Sequence, residues 1–141
     1  MIKTVDIAFD DRGMMSFKSD FLNDTLRLEL STELRVYYDE EDISEDYKGK
    51  IATFANEIAH WYEIAISRVI EHFSEQYQAV LNCSDIKLMS ICTLFEQDAT
   101  QEVYGLNFRV NFDEEHDAGL QMYGKTFGIK KVGTADISFR V

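Results

Sequence analysis

The sequence predicts a single α+β domain over residues 1–141, an antiparallel sheet of about six to eight strands packed on one long amphipathic helix at roughly 47–80. Three observations predict it. Apolar and polar residues alternate in both outer thirds, and the middle third carries an apolar stripe at helical spacing. The third is size: 141 residues, 45% hydrophobic and 13% aromatic, suffice for one well-packed core.

In the first third, Val5, Ile7 and Phe9 alternate with polar or small positions. Asp10-Asp11-Arg12-Gly13 supplies turn residues, and Met14, Met15 and Phe17 follow as the hairpin partner. Leu26, Leu28 and Leu30 alternate with Arg27 and Glu29, and Leu34, Val36 and Tyr38 extend the pattern to Asp39. Period-two alternation marks a sheet with one buried and one wet face.

The helix opens with Ser44 as its expected N-cap and Glu45 and Asp46 in a first turn that favours negative charge. At about 100° per residue, Ile51, Ile58, Ala59, Tyr62, Ile66, Val69, Phe73, Tyr77 and Val80 share one arc. Glu57, His60, Ser67, Arg68, Glu71 and Glu75 occupy the opposite one. A stripe of about eight turns is long for a globular helix and leaves room for a break near its C-terminal end. Trp61 and Ile64 sit off the stripe, beside His60 and Arg68. Either another part of the fold covers them, or they anchor a partner.

Beyond Asn82 the strand pattern returns. Ile86 to Phe95 is an apolar run suited to a central strand, and Leu106, Phe108, Val110 and Phe112 alternate with Asn107, Arg109 and Asn111. Leu120–Tyr123, Thr126–Lys130 and Ile137–Val141 read as short strands. Five of the seven glycines fall in residues 105–133, the expectation for a meander with tight turns. There is no proline, no internal repeat and no linker.

With 26 acidic and 14 basic residues the net charge is −12, which disfavours binding to nucleic acid through its phosphates. The start MIKTVDIAFD carries two aspartates and no apolar signal core, and no long uncharged apolar run follows, so neither export nor a membrane is expected. Cys83 and Cys92 have no metal-ligand or C-x-x-C spacing and read as reduced, buried thiols of a cytoplasmic protein.

The charge is concentrated. Residues 39–46, DEEDISED, hold six acids and no base, and residues 94–117 hold seven acids and one base. The remaining chain is neutral, with 13 of each sign. Clustered like charge costs self-repulsion and speeds encounter with an opposite patch. The leading expectation is a non-enzymatic surface for a basic protein partner. Its residues are Asp39, Glu40, Glu41, Asp42, Glu45, Asp46, Glu114, Glu115 and Asp117, with Tyr38 and Trp61 as contact anchors. A calcium loop does not fit, since DEEDISED lacks the glycine and ligand spacing.

Other chemistry is thin. Glu57 and His60 form one E-x-x-H pair where a di-iron site needs two and further glutamates. Asp113-Glu114-Glu115-His116-Asp117 is the densest group of ligand types; His116 with Glu114 is the weak alternative for a metal, and the cluster reads more plainly as a turn. No nucleophile elbow or phosphate loop is present, so neither catalytic residues nor a cofactor are expected. The alternatives are a small enzyme or ligand-binding domain using 113–117, or a structural or regulatory domain whose acidity serves solubility.

Phe112-Asp113-Glu114-Glu115-His116-Asp117-Ala118-Gly119-Leu120, then Gly124-Lys125 and Lys131-Val132-Gly133-Thr134-Ala135-Asp136-Ile137, resembles the C-terminus of bacterial domains of unknown function. Those carry an aromatic-Asp-x-Glu-His-Gly-x-Gly segment before a closing hairpin. Some such small acidic domains belong to toxin–immunity systems, so the resemblance implies a binding role. In size, acidity and lack of a catalytic set, the chain is similar to immunity proteins, whose partners are basic toxins.

Overall fold

A computed structural model of the chain describes residues 8–9, 15–30, 44–78, 80–97, 99–111 and 117–139. Among the described residues seven strands form one sheet in sequence order: β1 (Ala8–Phe9), β2 (Met15–Ser19), β3 (Asp24–Leu30), β4 (Ile86–Thr93), β5 (Val103–Val110), β6 (Ala118–Tyr123) and β7 (Ile129–Thr134). The fold is α+β as expected, but the sheet is mixed. β3 and β4 run parallel, Leu28 facing Ile91 and Leu30 facing Thr93; every other pair is antiparallel. A parallel pair needs a long crossover, and the helical region between Leu30 and Ile86 is that crossover.

Alternation sorts the sheet's faces. Leu28, Ile91, Leu106, Leu120 and Val132 pair in one row across five strands and belong to the main core. The flanking row Thr93, Tyr104, Met122 and Ile129 lies on the same face, which the helices cover. Opposite it run Arg27, Ser90, Asn107, Gly119 and Gly133.

Among the described residues two helices stand where one was expected: α1 (Glu45–Asn56) and α2 (Ile58–Tyr77), divided at Glu57. Ser44 caps α1 as expected, its hydroxyl accepting from the Tyr47 N–H at 3.1 Å. The break comes early, not near the C-terminal end, and it needs no proline or glycine. Glu57 (φ −86°, ψ 13°) leaves helical geometry, and its N–H is shared between the Thr53 and Phe54 carbonyls at 3.2 and 3.1 Å. The Phe54 carbonyl also accepts the Trp61 indole N–H at 2.7 Å. An aromatic side chain from α2 thus closes the end of α1, where carbonyls would otherwise lack partners.

That bond overturns the expectation of Trp61 as a partner anchor. Trp61 is fully buried, its ring parallel to Phe54 at 4.6 Å, and Phe54 in turn lies parallel to Tyr104 of β5 at 3.9 Å. The buried arc of α2 is Ile58, Trp61, Ala65, Ile66, Val69 and Phe73, rotated toward Trp61 relative to the expected stripe. Ala59 and Tyr77 are exposed, Tyr62 is half-buried, and Val80 lies beyond the helix at 92% exposure. Cys92 is buried as expected and Cys83 is exposed, where two buried thiols were expected.

Two further corrections concern the C-terminal third. Residues 126–128 lie in the turn before β7 rather than in a strand, and Ile137 and Ser138, where the strand Ile137–Val141 was expected to begin, belong to a one-turn 3₁₀ helix, Ala135–Ser138. Gly105, Gly119 and Gly133 are not turn residues. They lie in β5, β6 and β7, where a Cβ would collide with the Ser138 carbonyl, the Thr134 carbonyl and the Ile137 side chain respectively. The 3₁₀ turn therefore rests directly on the outer face, held by the Gln121 amide donating to the Ile137 carbonyl at 2.8 Å. The strands placed at Val5–Ile7 and Leu34–Tyr38 lie outside the described residues.

The indole bond is separable from ring packing. Trp61→Phe keeps an aromatic ring and removes the donor, and should cost about 1–2 kcal/mol by urea denaturation. Phe54→Ala removes the middle of the stack and should cost about 3–5 kcal/mol. A Trp61→Phe variant as stable as the parent would mean the indole does not hold the break.

Candidate functional site

The α1 N-terminus lies at the end of the sheet where β4 finishes and β5 begins. Two buried tyrosines fix it there. The Tyr47 hydroxyl donates to the Phe95 carbonyl at 2.7 Å, and the Tyr104 hydroxyl donates to the Lys50 carbonyl at 3.1 Å, with Glu102 Oε1 3.4 Å away. Burial, then the nearby Glu102 charge, pushes the Tyr104 phenol far above its ordinary value. Tyr104 is accordingly a neutral structural donor rather than an acid–base group.

The same arrangement brings the two acidic segments into contact. The Ser44 N–H donates to Gln97 Oε1 at 2.8 Å across 53 residues of chain. Glu45 and Asp46 from the first segment therefore share one end of the molecule with Glu96 and Glu102 from the second. Between α1 and the β6–β7 turn lies an open groove of about 770 Å³. Asp46, Gly49, Lys50, Thr53 and Phe54 form its α1 wall, and Glu57 continues it past the helix end. Gly124, Lys125 and Phe127 form the facing wall, and Gln97 and Glu102 complete it.

Each wall departs from local preference. Gly49 sits inside a 12-residue helix, where glycine costs about 1 kcal/mol relative to alanine. Phe127 has φ 59°, a left-handed conformation that is unusual for a bulky residue. The turn's hydrogen bonds hold it there, Phe127 N–H to the Tyr123 carbonyl and Tyr123 N–H to the Gly128 carbonyl, both at 2.9 Å. Its ring packs on the core, 6.5 Å from Phe54. Among the described residues neither Lys50 nor Lys125 forms an ion pair.

Not every expected site residue comes to this groove. Asp117 precedes β6 at the far end of the sheet, a strand length of roughly 25 Å from Glu102 at ~3.3 Å per residue. Tyr38, Asp39, Glu40, Glu41, Asp42, Glu114, Glu115 and His116 lie outside the described residues. His60 is on the surface as expected, 3.3 Å from Glu57, and among the described residues no group of three or more His, Cys, Asp or Glu is placed to hold a metal. No helix is long and apolar enough to cross a membrane among the described residues. The groove residues Gly49, Gln97, Glu102, Lys125 and Phe127 were not singled out from sequence. Only Gly49, a glycine inside a helical pattern, carried a local signal. No protein-family model, curated protein or solved structure matches the chain.

The buried phenol has a pH signature. Its folded pKa lies above the unfolded value near 10, so Tyr104 contributes no penalty below that pH. Above it, the unfolded state loses the proton first and stability falls, by up to about 1.4 kcal/mol per pH unit. Tyr62, raised mainly by burial, adds to the same slope. Urea midpoints between pH 9 and 11 should fall less steeply in Tyr104→Phe than in the parent; equal slopes would show that Tyr104 ionises freely when folded.

Proposed function

We propose that this chain is a non-enzymatic acidic binding protein whose partner is basic, and specifically an immunity protein that neutralises a nuclease-like toxin by occluding its cationic active site. The observation that carries the reading is the Ser44–Gln97 bond, which joins the first acidic segment to the start of the second and gathers Glu45, Asp46, Glu96 and Glu102 at one end. Concentrated acidity at one end of a fold raises the encounter rate with a cationic cleft and suits an occluding plug. The resemblance of residues 112–137 to bacterial domains linked with toxin–immunity systems supports the same reading. The described acids for this role are Glu45, Asp46, Glu96 and Glu102; Asp117, at the opposite end, is not part of it. Cytoplasmic residence belongs to the proposal, since the toxin would be met there.

Purification of the chain from its native host, followed by identification of what stays bound at low salt, tests this. One stoichiometric basic protein is expected, released as salt screens the contact. With that partner, Glu45→Lys combined with Asp46→Lys should slow association at least tenfold and change dissociation less. Asp117→Lys should leave the rate near the parent value. A bound metal or small molecule in place of a protein, or association indifferent to salt and to charge reversal, would overturn the reading.

A further inference from the structure

We infer that the groove between α1 and the β6–β7 turn seats a single arginine side chain of the partner, a conclusion that rests on the reading of this end as a surface for a basic protein. The argument starts from the two departures on its facing walls. A sequence specifies its fold when local preferences agree with the structure, and disagreements concentrate at functional sites. Gly49 gives up helix stability and Phe127 holds a left-handed backbone, and both line this one groove. Gly49 places no side chain on the α1 wall, so a planar group can enter there opposite Phe127, while Gly124 is small because it packs against the Tyr104 ring.

The chemistry selects the group. Glu102 is half-buried, its backbone carbonyl accepts the Gly124 N–H at 3.0 Å, and its carboxylate lies 3.4 Å from the Tyr104 hydroxyl, so it is placed before anything binds. Phe127 supplies an aromatic wall, and Asp46 and Glu57 add negative charge along the α1 side. A guanidinium pairs with a carboxylate through a planar fork and stacks flat on an aromatic ring; an ammonium meets both only as a compact, strongly hydrated point charge. Lys50 and Lys125 stand in the same lining and oppose a second cation, so the groove favours one arginine over a polybasic run.

The test uses an acetylated and amidated Ala-Arg-Ala peptide and its Ala-Lys-Ala counterpart, titrated into the full chain and followed by amide chemical shifts. The arginine peptide should saturate weakly, with a dissociation constant on the order of millimolar, and shift the amides of Gly49, Thr53, Glu102, Gly124 and Phe127. The lysine peptide should bind at least threefold more weakly. Gly49→Leu, which replaces glycine with a good helix former and fills the groove, should keep or raise the melting temperature while weakening the peptide at least tenfold. Glu102→Gln should weaken it similarly, and Glu63→Gln on the exposed side of α2 should not. Shifts spread over the acidic surface, equal binding of the two peptides, or a Gly49→Leu variant that binds like the parent would each overturn the inference. If the peptide maps to the groove and no basic protein is found in the host, the groove stands and the partner reading fails. A basic partner that leaves these amides unshifted gives the converse.

Discussion

The Phe54 carbonyl and the ring attached to the same residue hold the rest of the structure in place. The carbonyl accepts from both Glu57 and Trp61, which ends α1 and sets the start of α2. The ring lies between Trp61 and Tyr104, which joins that corner to β5. A continuous helix would bond Phe54 to the N–H four residues on and would carry Trp61 around to the polar arc. The break turns α2 so that the indole points inward, where its one donor must be satisfied because burial without a partner is costly. Helix division, indole burial and the seating of α1 on the sheet are thus one event.

Everything at the charged end follows from where that corner puts α1. The Tyr104 and Tyr47 hydroxyls each hold a backbone carbonyl, one on α1 and one just after β4, so the helix N-terminus and the chain leaving β4 cannot drift apart. Tyr104, its phenol pushed up by burial, does not ionise usefully there, and the value of both bonds is geometric. With α1 fixed, Ser44 does two things at once: its hydroxyl caps the helix and its N–H reaches Gln97. The acidic first turn of α1 also sits at the positive end of the helix dipole, which offsets part of the repulsion from gathering carboxylates together.

Much of the sheet was legible because period two has few imitations. Leu26, Leu28, Leu106, Phe108 and Val110 are all buried where alternation placed them. The parallel β3–β4 pair was not legible, since alternation names a face and says nothing about a neighbour's direction. The helix break was hidden for a different reason. Its cause is a bond between Trp61 and a carbonyl seven residues earlier, and without proline or glycine near Glu57 the stripe reads as unbroken. Assigning Trp61 from an unbroken helical wheel then put it on the wrong side. The glycines misled in the same way: Gly105, Gly119 and Gly133 look like turn residues, but are small because the 3₁₀ turn at 135–138 lies on them. Of the charged surface, the acids were legible as a cluster, and the contact between segments was not, because it depends on one long-range bond.

The basic residues follow a complementary logic. Residues 118–134 contain Lys125, Lys130 and Lys131 and no acid, in a chain whose net charge is −12. β7 ends the sheet, and its register with β6 shifts between Gln121 and Met122, which places Lys130 at an irregularity. Lysine and a local bulge are the devices by which an open strand edge avoids pairing with another strand. An acidic fold gains protection from aggregation through net repulsion, but an edge strand pairs by backbone groups that net charge does not block. The lysines act where the general repulsion does not reach, and the adjoining turn carries one of them, Lys125, to the groove. On the proposed reading, the same sign of charge there would serve selection rather than protection, since the groove would take one cationic side chain and resist a second beside it.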